Sequence, residues 1–169
     1  MTRALLAAIV LLALPTTALA DARFDRASGS GKQSIPQGTE AFLTHISFSA
    51  RAQDPLTTVA DGYFVARGSA MGSPFAQKGE VTCLRVEGNR ASIRYRFDKA
   101  SGGTAAFEGG GIQVFVEDNG PKGDRSTFDP PQTAGAFELD ARTCDDPNLR
   151  LLAYQPIDSG NFVVRDSSP

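Results

Sequence analysis

Apolar residues recur at every second position along this chain, in short runs that stop at Gly, Pro, Asn or Asp. In residues 40–50, EAFLTHISFSA, the side chains of Phe42, Thr44, Ile46 and Phe48 fall on one face. Residues 62–68, GYFVARG, are rich in aromatic and β-branched types. Residues 111–118 place Ile112, Val114 and Val116 together, and 135–142 do the same with Phe137, Leu139 and Ala141. Two further runs, 149–154 and 161–166, close the chain. A period of two is the signature of a half-buried strand, and no stretch keeps a helical period over three turns. The pattern predicts an all-β single domain of roughly eight to ten strands. An antiparallel sandwich is the first expectation and a barrel the second.

The sharpest local signal is Gly88-Asn89, between GEVTCLRVE (79–87) and RASIRYRF (90–97). Glycine at the first central position suits a two-residue type II′ turn. That turn sets Glu87 opposite Arg90, Val86 opposite Ala91, Leu84 opposite Ile93, Cys83 opposite Arg94 and Thr82 opposite Tyr95. One face then carries Val86, Ala91, Leu84, Ile93 and Tyr95. The other carries Glu87, Arg90, Arg85, Arg94, Arg96 and Cys83, which puts Cys83 on the polar face or at its rim. A one-residue slip would drive arginines into the core, so the register is strongly specified.

The first twenty residues read differently from the rest. Arg3, the apolar run Ala4 to Leu14, and Ala18-Leu19-Ala20 have the charge, hydrophobic and cleavage regions of a secretory signal peptide. The run is too short to span a bilayer, and no later run is apolar enough to anchor the chain. The expected organisation is a signal peptide over 1–20, a flexible lead-in over 21–31 (polar and small, DARFDRASGSG) and one β-domain over 32–169. Net charge is −2 for the whole chain, which argues against a nucleic-acid partner. Two cysteines in an exported chain most simply form one disulfide, so Cys83 is expected to pair with Cys144. Two Cys and one His are too few for a zinc site built from those residues alone.

GEVTCLRVEGNRASI, then VEDNGPKGD, a second Cys and a closing GNFVVRD together resemble a domain found in many secreted bacterial proteins of unknown function. The shared pattern is a Val-Thr-Cys-Leu-x-Val-x-Gly-Asn-x-Ala block ahead of an Asp-Asn-Gly segment, over about residues 79–166. The resemblance implies a single exported β-domain. It brings no activity and no catalytic residues.

Four groups of residues invite a chemical reading. Residues 116–131, VEDNGPKGDRSTFDPP, crowd acids and turn formers together. Asp118, Asp124 and Asp129 are candidate calcium ligands, with Asn119 beside them. The spacing is not that of an EF-hand, and Asn119-Gly120 with Pro121 and Gly123 also reads as a plain turn. Arg85, Arg94 and Arg96 share one side of the hairpin and form a candidate anion-binding face, since clustered guanidinium groups suit carboxylates and phosphates. His45 and Ser159 follow the His…Ser order of some triads, but His45 lies in a strand pattern and no Gly-x-Ser-x-Gly elbow exists. The acids guarantee carboxylate pairs by number alone, while the lack of Trp weakens a sugar-cleft reading. The leading functional expectation is a non-enzymatic secreted or periplasmic β-domain, with a binding or envelope-associated role and an envelope or extracellular partner. A small secreted hydrolase and a calcium-stabilised structural module are the alternatives. Apart from calcium, no cofactor is expected.

Overall fold

Among the described residues the chain forms ten strands, most of the period-two runs among them. The computed structural model describes residues 24–37, 40–54, 56–70, 72–149 and 153–167. The strands are β1 (Arg26–Gln37), β2 (Glu40–Ala52), β3 (Ala60–Ala70), β4 (Ser73–Glu87), β5 (Arg90–Arg96), β6 (Lys99–Gly102), β7 (Gly111–Glu117), β8 (Arg125–Phe128), β9 (Gln155–Pro156) and β10 (Ser159–Arg165). They form one sheet in the order β10-β1-β2-β3-β4-β5-β7-β8-β9, with β6 on β4. Every pairing is antiparallel. The 15-residue β4 turns the sheet on itself. Its first half pairs with β3 and β6, its second with β5, and the register shifts between Val81 and Cys83. Such a bulge adds local twist. The all-β antiparallel class is as the alternation predicts. Its two layers are the halves of a single curled sheet, a half-barrel, so they are not two separate sheets.

Aromatic rings in contact line the inside of the curl. Phe162, Gly29, Phe48, Phe64 and Gly79 are consecutive cross-strand neighbours from β10 to β4. The rings of Phe48 and Phe162 lie 5.4 Å apart, those of Phe48 and Phe64 5.4 Å, and those of Phe64 and Tyr95 4.2 Å. Glycine is required where the row is tightest. A Cβ on Gly29 would come within 2.3 Å of the Asn161 carbonyl oxygen, and one on Gly79 within 1.5 Å of that of Arg96. Burial also pushes the pKa of the Tyr95 hydroxyl well above its ordinary value, so the ring stays neutral in the core.

Several expectations need correction. Residues 26–31 of the expected lead-in are the first half of β1, which is hydrogen-bonded on both sides. Its glycines leave room for the neighbouring phenylalanines, which supply the apolar surface. The hairpin register holds from Glu87–Arg90 to Cys83–Arg94, and Gly88 has φ +62°. Beyond it the bulge sets Val81, not Thr82, opposite Tyr95. Thr82 donates instead to the Ala141 carbonyl. Cys83 is fully buried, because a segment crosses its face. That segment holds the largest departure. Residues 135–142 are not a strand, since Ala134–Glu138 form a short helix, α1, and turns follow. Phe137 packs against β7 where Gly111 has no side chain, and a Cβ there would meet the ring at 2.2 Å. This anchor overrides the local alternation and leaves Leu139 exposed. The expected strand over 149–154 is irregular at 149 and 153–154, and 150–152 lie outside the described residues, as do the expected signal peptide and the start of the lead-in.

The curl is sealed by side chains. Gln33 of β1 reaches across to donate to the carbonyls of Ser126 (3.2 Å) and Gln155 (2.8 Å), and Ser126 Oγ donates back to its Oε1. On the free edge of β10, the Phe162 N–H donates to Asp124 Oδ2 and the Val164 N–H to Asp118 Oδ2.

The aromatic row makes a direct prediction. Phe64 is fully buried between two ring neighbours, so Phe64→Ala should cost roughly 3–5 kcal/mol in denaturant unfolding. The exposed Tyr63→Ala beside it should cost far less. Equal losses would contradict the row as the centre of the core.

Candidate functional site

The 118–124 turn is built from inward-facing carboxylates. Asp118 Oδ1 accepts the Gly120 N–H at 3.1 Å, and its Oδ2 holds β10. Asp124 Oδ1 accepts the Asn119 N–H at 2.9 Å, and its Oδ2 also holds β10. Asn119 Nδ2 donates to Glu117 Oε2 (3.0 Å) and Asn89 Nδ2 to Asn119 Oδ1 (3.1 Å), tying the turn to the Gly88-Asn89 hairpin. Arg90 donates twice to Glu117 Oε1, at 2.8 and 2.7 Å. The calcium candidates are thus divided. Asp118 and Asp124 meet in one turn with both oxygens of each engaged by backbone N–H groups, while Asp129 lies beyond β8 and its own N–H donates to Gln113. Among the described residues no three acidic, His or Cys side chains gather as a metal-binding group. Burial works to raise the pKa of Glu117. Hydrogen bonds from Asn119 and Arg90, with the charges of Arg90 and Arg125, outweigh it and hold the carboxyl below the usual glutamate range.

Arg85, Arg94 and Arg96 do share one face, but a flap covers it. Residues 134–148 lie across the outer side of β5 and β7, tethered by the Cys83–Cys144 disulfide. Arg85 pairs with Glu87 and Asp146, both at 2.9 Å, and Arg96 with Glu138 at 2.6 Å. Buried Arg94 pairs with Asp140 and donates to Gln113 Oε1 at 3.0 and 2.6 Å. A carboxylate of the flap meets each guanidinium, which therefore already has its anion. The acids at 138, 140 and 146 are spaced to find these arginines, a signal legible only once the flap is known to cross β5.

The other half of the outer face is bare and carries a group of unpaired basic residues. In register, Lys32 of β1 neighbours His45 of β2, which neighbours Arg67 of β3. Lys78 of β4 sits opposite Lys99 of β6. At the far end of the same face Arg165, Arg26 and Arg51 line up across β10, β1 and β2. All are exposed. Among the described residues none of these lysines and arginines belongs to an ion pair. Arg51 lies over the Phe24 ring instead, 4.6 Å from its centre. Two shallow depressions of about 240 and 290 Å³ adjoin on this face and share Arg67. Like charges placed directly opposite destabilise a sheet, and a chain with net charge −2 has acids enough to offset them. On this face Asp61 stands opposite Arg51, Glu80 stands opposite Tyr63, and Asp158 lines a depression with Lys32, so the basic residues outnumber the acids without being free of them. The row escaped sequence reading because it depends on the register of four strands.

The remaining pair does not make a catalytic unit. His45 projects outward from β2 and Ser159 begins β10, with Lys32 of β1 between them in register. Two strand spacings, about 10 Å, separate them, beyond hydrogen-bond reach.

Three outcomes follow. Asp124→Asn turns one acceptor into a donor facing an N–H group and should cost about 1–3 kcal/mol by denaturant unfolding. Millimolar calcium against excess EDTA should move the melting temperature by less than about one degree, because bound native-state ligand would raise it by several. Glu117 has a folded pKa below its unfolded value. Its contribution is therefore complete above about pH 4.3 and lost as pH falls through the folded pKa. The melting-temperature gap between the wild type and Glu117→Gln should be widest near neutrality and narrow in acid; a gap independent of pH would contradict the network.

Compared with known proteins, the chain matches no family model, no curated protein and no solved structure.

Proposed function

We propose that this protein is an exported, non-enzymatic binding domain of the cell envelope or its surroundings, and that it takes an anionic partner on the bare outer face of β10-β1-β2-β3-β4-β6. One observation carries the reading. Lys32, Arg67, Lys78 and Lys99, with His45 among them, stand together on that face outside any ion pair among the described residues, whereas Arg85, Arg94 and Arg96 are each paired beneath the flap. Clustered surface cations raise the local potential and speed the capture of anions even on a protein whose net charge is negative. Export is supported by the Cys83–Cys144 disulfide, by the signal-peptide pattern of residues 1–20 and by the resemblance to secreted β-domains. No helix among the described residues is long and apolar enough to cross a membrane.

Retention on a sulfonate resin at neutral pH and low salt tests this reading, because net charge alone opposes it. The wild type should be retained and then released by salt. Lys32→Glu/Arg67→Glu should flow through. Lys122→Glu/Arg142→Glu makes the same charge change at exposed positions off the face and should still be retained. Equal behaviour of the two double variants would overturn the assignment.

A further inference from the structure

The bare face has internal order beyond its charge. Its two rows of basic residues, Arg165–Arg26–Arg51 (with Asp61 next on β3) and Lys32–His45–Arg67, stand six residues apart along β1. That is about 20 Å at strand rise. Between them the outward residues of β1 and β2 are Ser28, Ser30, Ser47 and Ser49, with Asn161 beside Ser30 on β10. Tyr63, 53 % exposed, continues the Ser28–Ser49 row on β3, and the exposed Glu80 of β4 stands next to it in register. Lys78 and Lys99 extend the Ser30–Ser47–Val65 row across β4 and β6. Charge therefore brackets a strip of hydroxyl groups, each able to donate and accept. The large exposed apolar side chains on this face, Leu43, Tyr63 and Val163, sit singly on different strands and make no patch.

From this arrangement we infer that the partner is a polyanionic polysaccharide, a chain of hydroxylated sugars bearing carboxylates, which lies along β1 and β2. Its carboxylates reach the two rows of basic residues, its sugar hydroxyls meet the serine strip, and the Tyr63 ring offers a face to a sugar ring. The inference rests on the reading that this face binds anions. Charge alone would serve any polyanion. The hydroxyl strip adds nothing for a polymer without hydroxyl groups, and an anionic bilayer would gain from an apolar patch to insert, which the face lacks.

Three probes separate the classes: polygalacturonate, poly-L-glutamate of matched length, and vesicles of phosphatidylglycerol and phosphatidylcholine. Calorimetry or flotation should show polygalacturonate binding about tenfold or more tightly than polyglutamate, since a few net hydrogen bonds suffice for that ratio. Replacing Ser28, Ser30, Ser47 and Ser49 together by Ala should erase the preference and leave polyglutamate binding in place. Ser30→Thr/Ser47→Thr keeps the hydroxyls and suits a strand, so it should keep the preference and guards against a folding artefact. Equal wild-type affinity for the two polymers, or tighter binding to vesicles, would overturn the polysaccharide while the anion reading stands. Failure of all three probes to bind would overturn both.

Discussion

The seam between β10 and the 118–124 turn decides what the rest of the molecule can offer. A curled sheet ends in two free edges, and an open edge is both a loss of hydrogen bonds and a template for pairing with another chain. Here the edge of β10 meets carboxylates where another strand would otherwise stand. Asp124 and Asp118 take the N–H groups of Phe162 and Val164, and Gln33 ties β1 to β8 and β9 from inside. Hydrogen bonds to a charged acceptor contribute roughly 1.5–3 kcal/mol each. They hold β10 against β1 and keep Phe162 over Gly29, at the end of the aromatic row. The densest acidic stretch of the chain is thereby committed to the fold.

The same accounting separates the two arginine-rich regions. Under the flap, each guanidinium of Arg85, Arg94 and Arg96 has a carboxylate from the chain itself. Removing Asp140 would leave the buried Arg94 charge without its carboxylate, and that constraint, together with the disulfide, fixes the flap over β5 and β7. No flap crosses the opposite half of the sheet, and among the described residues its exposed acids Asp61 and Glu80 form no ion pair with its cations. Its cations stay hydrated and available to an external anion. The candidate surface follows from where the flap ends.

Much of this was legible in the sequence. The alternation in β2, β5 and β7, the Gly88-Asn89 register and the Cys83–Cys144 pair all depend on near neighbours or on simple arithmetic, and each is present. What was missed depends on distant partners. The Gly- and Ser-rich β1 is a strand because Phe48 and Phe162 cover its glycines. The 135–142 run is helix and turn because Phe137 finds Gly111 and its acids find the arginines of β5 and Arg85 of β4. Asp118 and Asp124 look like cation ligands in one dimension, and their backbone partners lie in the last strand. The row of Lys32, His45 and Arg67 exists only through two strand registers.

Backbone amide shifts followed by NMR during titration with polygalacturonate would compare all three charged regions at once. The account predicts perturbations confined to residues of the bare face, centred on Ser30, Lys32, His45, Ser47 and Arg67, with Lys78 and Lys99 at the margin. Perturbations centred on Arg85, Arg94 and Arg96, or on the 118–124 turn, would contradict it, because those side chains are assigned here to the fold itself.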